Sequence, residues 1–191
     1  MSVPRRFSQA ISEGDGISLI ARVGSADAAA TAEVEGAEAV LVSSSDAARL
    51  AEIREATTLP VLLAWVGEGG VAVGADAVLV GPVDAFGRAQ TDLADEFELA
   101  LRIDDDEDLA ESLEQYDPEI FVLAASEGDR EEALEHVLDL LPDVPAGKLA
   151  IAELSGPTAD DVLALERAGV DGVIVESESV ARLAGDAQPS V

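Results

Sequence analysis

The chain has no cysteine, one lysine (Lys148), one histidine (His136), and a single methionine, tryptophan and tyrosine. Without cysteine there is no disulfide framework, no thiolate nucleophile and no thiolate metal site. One histidine makes neither a histidine-built metal centre nor a Ser-His-Asp set, so no metal site is expected. Basic residues are scarce, 11 Lys and Arg against 40 Asp and Glu, for a formal charge of −29. Such a charge repels the phosphates of nucleic acid and the surface of an anionic bilayer. No run approaches the ~18 apolar residues of a membrane span. The start, with Arg5 and Arg6 before Phe7, lacks the apolar stretch of a signal peptide. A cytoplasmic protein is expected.

What is present is apolar. At 48% hydrophobic residues over 191 positions the chain can bury a sizeable core, so its acids must form a coat on a folded surface. They are spread along the chain rather than blocked, which favours a solvated coat over an acidic tail for a basic partner. Residues 1–191 read as one domain, with 1–14 as a lead-in.

The clearest unit is 148–177. Leu149 to Glu153 is an apolar run of strand length ending on a carboxylate. Thr158, with Asp161 three residues on, caps a helix that carries Val162, Leu165 and Ala168 on one stripe. Gly169 ends that helix and a second apolar run follows. The pattern is strand, helix, strand, and it repeats. Strands are predicted over 17–23, 37–42, 60–66, 75–80, 97–103 and 120–124, before the two of this unit. Helices are predicted over 7–14, 25–36, 45–57, 83–95, 104–116, 130–141 and 180–184. Strict alternation with buried, non-alternating strands means a parallel sheet covered by helices. Eight units favour a compact (β/α)8 barrel. Gly-Ala-Glu-Ala-Val at 36–40, Gly-Ala-Asp-Ala-Val at 74–78 and Gly-Val-Asp-Gly-Val at 169–173 punctuate it, each placing a helix-ending glycine before a strand.

One unit departs from the rule. Between the third and fourth strands stand only residues 67–74, which reach roughly 26 Å fully extended. A crossover normally needs a dozen residues, so the third helix is expected to be missing or vestigial. Val71 and Val73 would cover the seam in part. An uncovered strand 3–4 seam is a candidate homodimer contact.

With that order, the chain resembles indole-3-glycerol phosphate synthase. Phe7-Ser-Gln-Ala-Ile11, Gly16 to Arg22, Leu59-Pro-Val-Leu62, Asp104 to Leu109 and the span 143–177 carry the resemblance. It implies a carboxy-lyase of tryptophan biosynthesis that needs no cofactor, with a lysine acid, steering carboxylates and a glycine-rich phosphate cradle. Matched position by position, Arg22 and Gly24 stand for the family's first-strand glutamate and lysine. Ala64 replaces the acid lysine, Arg102 a glutamate, and Leu123 an asparagine. Glu153 alone keeps a family carboxylate, with Leu154 for the serine after it. Glu176 and Ser177 replace the phosphate glycine and its neighbour. The resemblance thus implies a non-catalytic or repurposed paralogue, the alternative being a divergent synthase or related lyase.

Barrel geometry adds a second expectation. On that family alignment, Arg22, Ala64, Arg102 and Glu153 fall on strands one, three, five and seven and share one inward layer, since alternate strands contribute one. Three readings follow. Glu153 and the two arginines form a salt-bridged plug; or Arg22 and Arg102 bind a small anionic ligand, with Ser155, Gly156 and Ser177 nearby; or Glu153 anchors a rerouted catalytic site. A plug with no pocket above it would exclude the second. Lys148 precedes its strand and belongs to the barrel bottom, and His136 to an outer helix. Ser43-Ser44-Ser45-Asp46 reads as helix capping, and Trp65 as outward packing if Ala64 points in.

Overall fold

The computed structural model describes residues 5–14, 16–66, 74–81, 93–116, 118–125 and 128–186. Eight parallel strands close into a barrel in sequence order: β1 (Ser18–Val23), β2 (Ala39–Val42), β3 (Val61–Trp65), β4 (Ala77–Val80), β5 (Glu98–Ile103), β6 (Ile120–Ala124), β7 (Leu149–Glu153) and β8 (Gly172–Glu176). Closure is made by β1 against β8, where Ser18 pairs with Gly172 and Arg22 with Glu176. Helices alternate with the strands: α1 (Arg6–Ser12), α2 (Ala26–Glu35), α3 (Leu50–Ala56), α4 (Asp106–Gln115), α5 (Arg130–Leu140), α6 (Ala159–Ala168) and α7 (Val180–Asp186). This is the expected (β/α)8 barrel.

Most helix boundaries follow local chemistry. Ser25 caps α2 by accepting from the Ala28 amide. Thr158 and Asp161 form a reciprocal capping box on α6, as do Asp129 and Glu132 on α5. Gly36 and Gly169 end α2 and α6 at φ of 104° and 98°, a left-handed conformation that an L side chain resists. One boundary differs from expectation. The stretch predicted as a helix from Ser45 opens as a 3-10 segment, Ser44–Arg49, before α3 begins. Ser43 does not cap it, because its hydroxyl is engaged by the Ser45 and Asp46 side chains, each at 2.7 Å.

Two cores result from the pleat. Outward residues such as Leu19, Val40, Leu63, Leu101, Phe121 and Val173 pack under the helices. Inward residues fill the barrel: Ile20, Leu62, Ala100 and Ile151 from odd strands, and Leu41, Leu79, Val122 and Ile174 from even ones. Ala64 joins the inner set and Trp65 the outer, as strand alternation requires. Gly172 faces inward where the inner core leaves little room. A Cβ there would stand 3.3 Å from Ile20 Cδ1 and 3.5 Å from Ile151 Cγ1.

The bottom of the barrel is plugged by α1, whose Phe7 and Ile11 enter the inner core. Burying each contributes about 1.5–3 kcal/mol. Arg5, at the N-cap of α1, offers no capping side chain. The buried Glu98 at the start of β5 does so instead, accepting from the Phe7 amide at 2.7 Å and the Ser8 amide at 3.0 Å. Asp76 gathers Arg6 and Arg54 and accepts from the Val61 amide at 2.8 Å. Asp171 repeats the device, accepting from the Ala150 amide at 2.8 Å. These aspartates belong to two of the recurring phrases, at 74–78 and 169–173, and lock β4 to β3 and β8 to β7.

The expected loss of the third helix, with Val71, Val73 and the homodimer seam, falls on residues 67–73 and lies outside the described residues. So does most of the helix expected over 83–95, of which 93–94 is helical. No helix among the described residues is long and apolar enough to cross a membrane.

Candidate functional site

The C-terminal mouth is built from strand ends. Arg22 stands one residue before the end of β1, Arg102 one before the end of β5, and Glu153 ends β7. By alternation all three project inward above the apolar layers. Glu153 bridges the two arginines: Arg22 Nη2 donates to Oε1 at 2.7 Å and Arg102 Nη1 to Oε2 at 2.7 Å. Each guanidinium has a further anchor. Arg22 Nε lies 3.2 Å from Glu176 Oε1, and Arg102 Nε donates to Asp104 Oδ1 at 3.2 Å. The bonds to Glu153 and Asp104 are charge-assisted hydrogen bonds, roughly twice as strong as neutral ones, and Arg22–Glu176 is an ion pair. The Glu153 side chain is 15% exposed, against 34% for Arg22 and 32% for Arg102. The carboxylate is therefore the sheltered member, and the guanidiniums still face solvent.

Their outer faces border a cleft of about 250 Å³, lined also by Gly128, Asp129, Arg130, Leu154, Ser155 and Glu176. The bridge therefore does not seal the mouth. A guanidinium carries five N–H groups. Among the described residues nothing pairs with Nη1 of Arg22 or Nη2 of Arg102, so donors remain for a further acceptor. Each Glu153 oxygen accepts one guanidinium hydrogen bond and keeps a further lone pair.

Arg130 is a site residue that sequence reasoning passed over. It opens α5, where the helix dipole disfavours a cation, and that mismatch was the available signal. Its position is explained by Asp161, whose Oδ2 accepts from Arg130 Nη1 at 2.8 Å. Burial pushes the Asp161 carboxyl up, but hydrogen bonds from Thr158 and the nearby Arg130 charge outweigh it and hold the group below its ordinary value.

The remaining candidates scatter. Ser155 lines the cleft, whereas Gly156, at φ 61°, and Ser177, which opens the 3-10 turn after β8, do not. Glu176 stands beside Arg22 where a phosphate cradle needs a glycine. Lys148 lies at the bottom, 3.8 Å from Glu119. His136 Nε2 stands 2.7 Å from the Asp104 carbonyl, to which it must donate, and so ties α5 to the loop after β5. Of the acids at 104–108, Asp104 serves Arg102 and Asp105 caps α4. No group of three His, Asp or Glu side chains among the described residues is arranged to hold a metal ion.

No protein-family model matches the sequence, and no curated protein matches it. Solved structures do. Thiamine phosphate pyrophosphorylase from Pyrococcus furiosus superposes with a TM-score of 0.67 at 17% identity, covering 89% of this chain and 94% of that one. The wild-type GGGPS (geranylgeranylglyceryl phosphate synthase) of Thermoplasma volcanium gives 0.68 at 15% identity, covering 97% and 96%. At such identities the likeness establishes the barrel fold alone.

These neighbours overturn the resemblance to indole-3-glycerol phosphate synthase, which has no support at the level of sequence families either. The physical reason lies in what carried it. Apolar strands, capped helix starts and glycine-aspartate punctuation are demanded by any (β/α)8 barrel, so they mark the architecture and not one member of it. The assignments to tryptophan biosynthesis, to a lyase and to a disabled lyase lose their basis with it. Ala64 then is not a lost lysine. It is a small residue in the inner core beneath the mouth.

Proposed function

We propose that the protein is a ligand-binding barrel whose mouth takes a small anionic compound, carrying a carboxylate or phosphate, on Arg22 and Arg102. The observation that carries this reading is the Arg22–Glu153–Arg102 bridge with an open cleft against it. A plug would have left no space. Here Glu153 holds two forked cations in fixed orientation while each keeps an outward nitrogen for a ligand, the preorganisation that lowers the entropic cost of binding. In this reading Glu153 acts as the positioning counter-ion of the two arginines. The names of the two similar structures both contain a phosphate compound, which agrees with the reading as an analogy of fold.

The test is calorimetric titration of the whole chain with inorganic phosphate, pyrophosphate and citrate at fixed ionic strength, because a charge of −29 makes any anion's affinity salt-dependent. At least one of the three should bind, and Arg22→Ala or Arg102→Ala should weaken it about tenfold or more, the loss of one charged hydrogen bond. Arg22→Lys, which keeps the charge but not the fork, should fall between. Absence of heat and of any melting shift with all three anions would sink the reading and leave the bridge as a structural closure.

A further inference from the structure

We propose that the ligand is a zwitterion: a carboxylate or phosphate joined by a short chain to an ammonium, which pairs with Glu176 and Asp129. This rests on the anion-binding reading above and goes further by fixing the other end of the molecule. The cleft is lined by three guanidiniums, of Arg22, Arg102 and Arg130, and by three carboxylates, of Glu153, Glu176 and Asp129. Several of these valences are used within the protein. Glu153 accepts from Arg22 and Arg102 with one oxygen each, and Arg130 is turned to Asp161. Asp129 uses Oδ1 to accept from the Glu131 and Glu132 amides.

What is left over has two signs. Arg22 Nη1, Arg102 Nη2 and Arg130 Nη2 remain as donors, while Glu176 Oε2 and Asp129 Oδ2 have no partner among the described residues. A simple anion satisfies the donors and offers nothing to the free carboxylate oxygens. An ammonium, three donors and no acceptor, complements free carboxylate oxygens of this kind. Glu176 lies next to the anion subsite. Arg22 and Glu176 are register partners on β1 and β8, with Nε and Oε1 3.2 Å apart, so a chain of two or three carbons spans them.

The experiment compares ligands that differ only in a terminal ammonium: propionate with β-alanine, and ethyl phosphate with O-phosphoethanolamine, titrated at fixed ionic strength. The ammonium member of each pair should bind about five- to tenfold more tightly, as one partly exposed ion pair with a hydrogen bond supplies. The double variant Glu176→Gln/Asp129→Asn should abolish the preference. The Asp129→Asn change keeps a side-chain oxygen to cap α5, and Glu176→Gln alone should halve the effect if the double variant folds poorly. The double variant changes two charges in a net of −29, so a preference that survives it belongs to the overall field and overturns the inference. Equal binding within each pair also overturns it but leaves the anion site standing. Binding of none of the four overturns both.

Discussion

Arg22 Nη2 and Glu153 Oε1 stand 2.7 Å apart across the barrel mouth, although 131 positions separate them in the chain. Arg102 reaches the other oxygen of the same carboxylate at the same distance. Two cations are thereby held together by one anion, and the anion is the least exposed of the three. Replacing it should show what the arrangement is for. In Glu153→Gln the guanidiniums lose their common counter-ion, and stability should fall by about 1–3 kcal/mol. A bound anion can take the vacated role, so inorganic phosphate should raise the melting temperature of the variant more than that of the parent. A variant that phosphate leaves unaffected would count against an anion site.

Asp171 makes a prediction about pH. Burial pushes its carboxyl up from the ordinary aspartate value, and the hydrogen bond from the Ala150 amide only partly opposes this. A raised carboxyl binds its proton more tightly in the folded state, so folding is favoured at acid pH. That contribution is lost as pH rises through the raised value. Asp171→Asn keeps an oxygen for the Ala150 amide and cannot ionise. It should melt higher than the parent at pH 7 and show no advantage at pH 3, measured as paired melting curves.

Glu98 should be the latch of the lead-in helix. Its two oxygens serve the Phe7 and Ser8 amides from a buried position. Glu98→Ala leaves both amides without a partner at the barrel bottom and should cost about 1–3 kcal/mol. Hydrogen exchange offers the sharper readout. Protection of residues 6–12 should drop well before that of the strands, and uniform loss of protection would contradict a local latch.

Gly172 should tolerate no branched side chain. Its missing Cβ makes room for Ile20 and Ile151, and Gly172→Val would overpack the inner layer at a cost of about 1–3 kcal/mol. Its φ is not in the left-handed region, so the cost is steric alone. Gly172→Val combined with Ile20→Val should therefore recover part of the loss in a denaturation series. No recovery would assign the glycine some other role.

The barrel was legible from periodicity. Apolar runs such as Ile120 to Ala124 and Leu149 to Glu153 coincide with β6 and β7, and the glycines at 36 and 169 end helices where expected. The inward position of Arg22, Arg102 and Glu153 was reached through the family alignment, because strands apolar on both faces leave the choice of face open to periodicity. The 3-10 opening before α3 was not legible, since Ser43 prefers its Asp46 and Ser45 neighbours to a backbone cap. Nor was the family. The phrases that suggested one synthase are those that any such barrel uses to begin a strand.

From its sequence alone this chain determined its fold class and the strand ends from which a site could be made. Those are local properties, set by alternation, capping and turn chemistry over a few residues. Only the tertiary structure decided that Glu153 meets both arginines, that Arg130 turns to Asp161, and that an open cleft remains beside them. Such pairings depend on which strands close the ring and how each side chain's remaining hydrogen-bonding valences are used. Those valences were counted only after β1 met β8 and β5 and β7 had been placed on either side of β6.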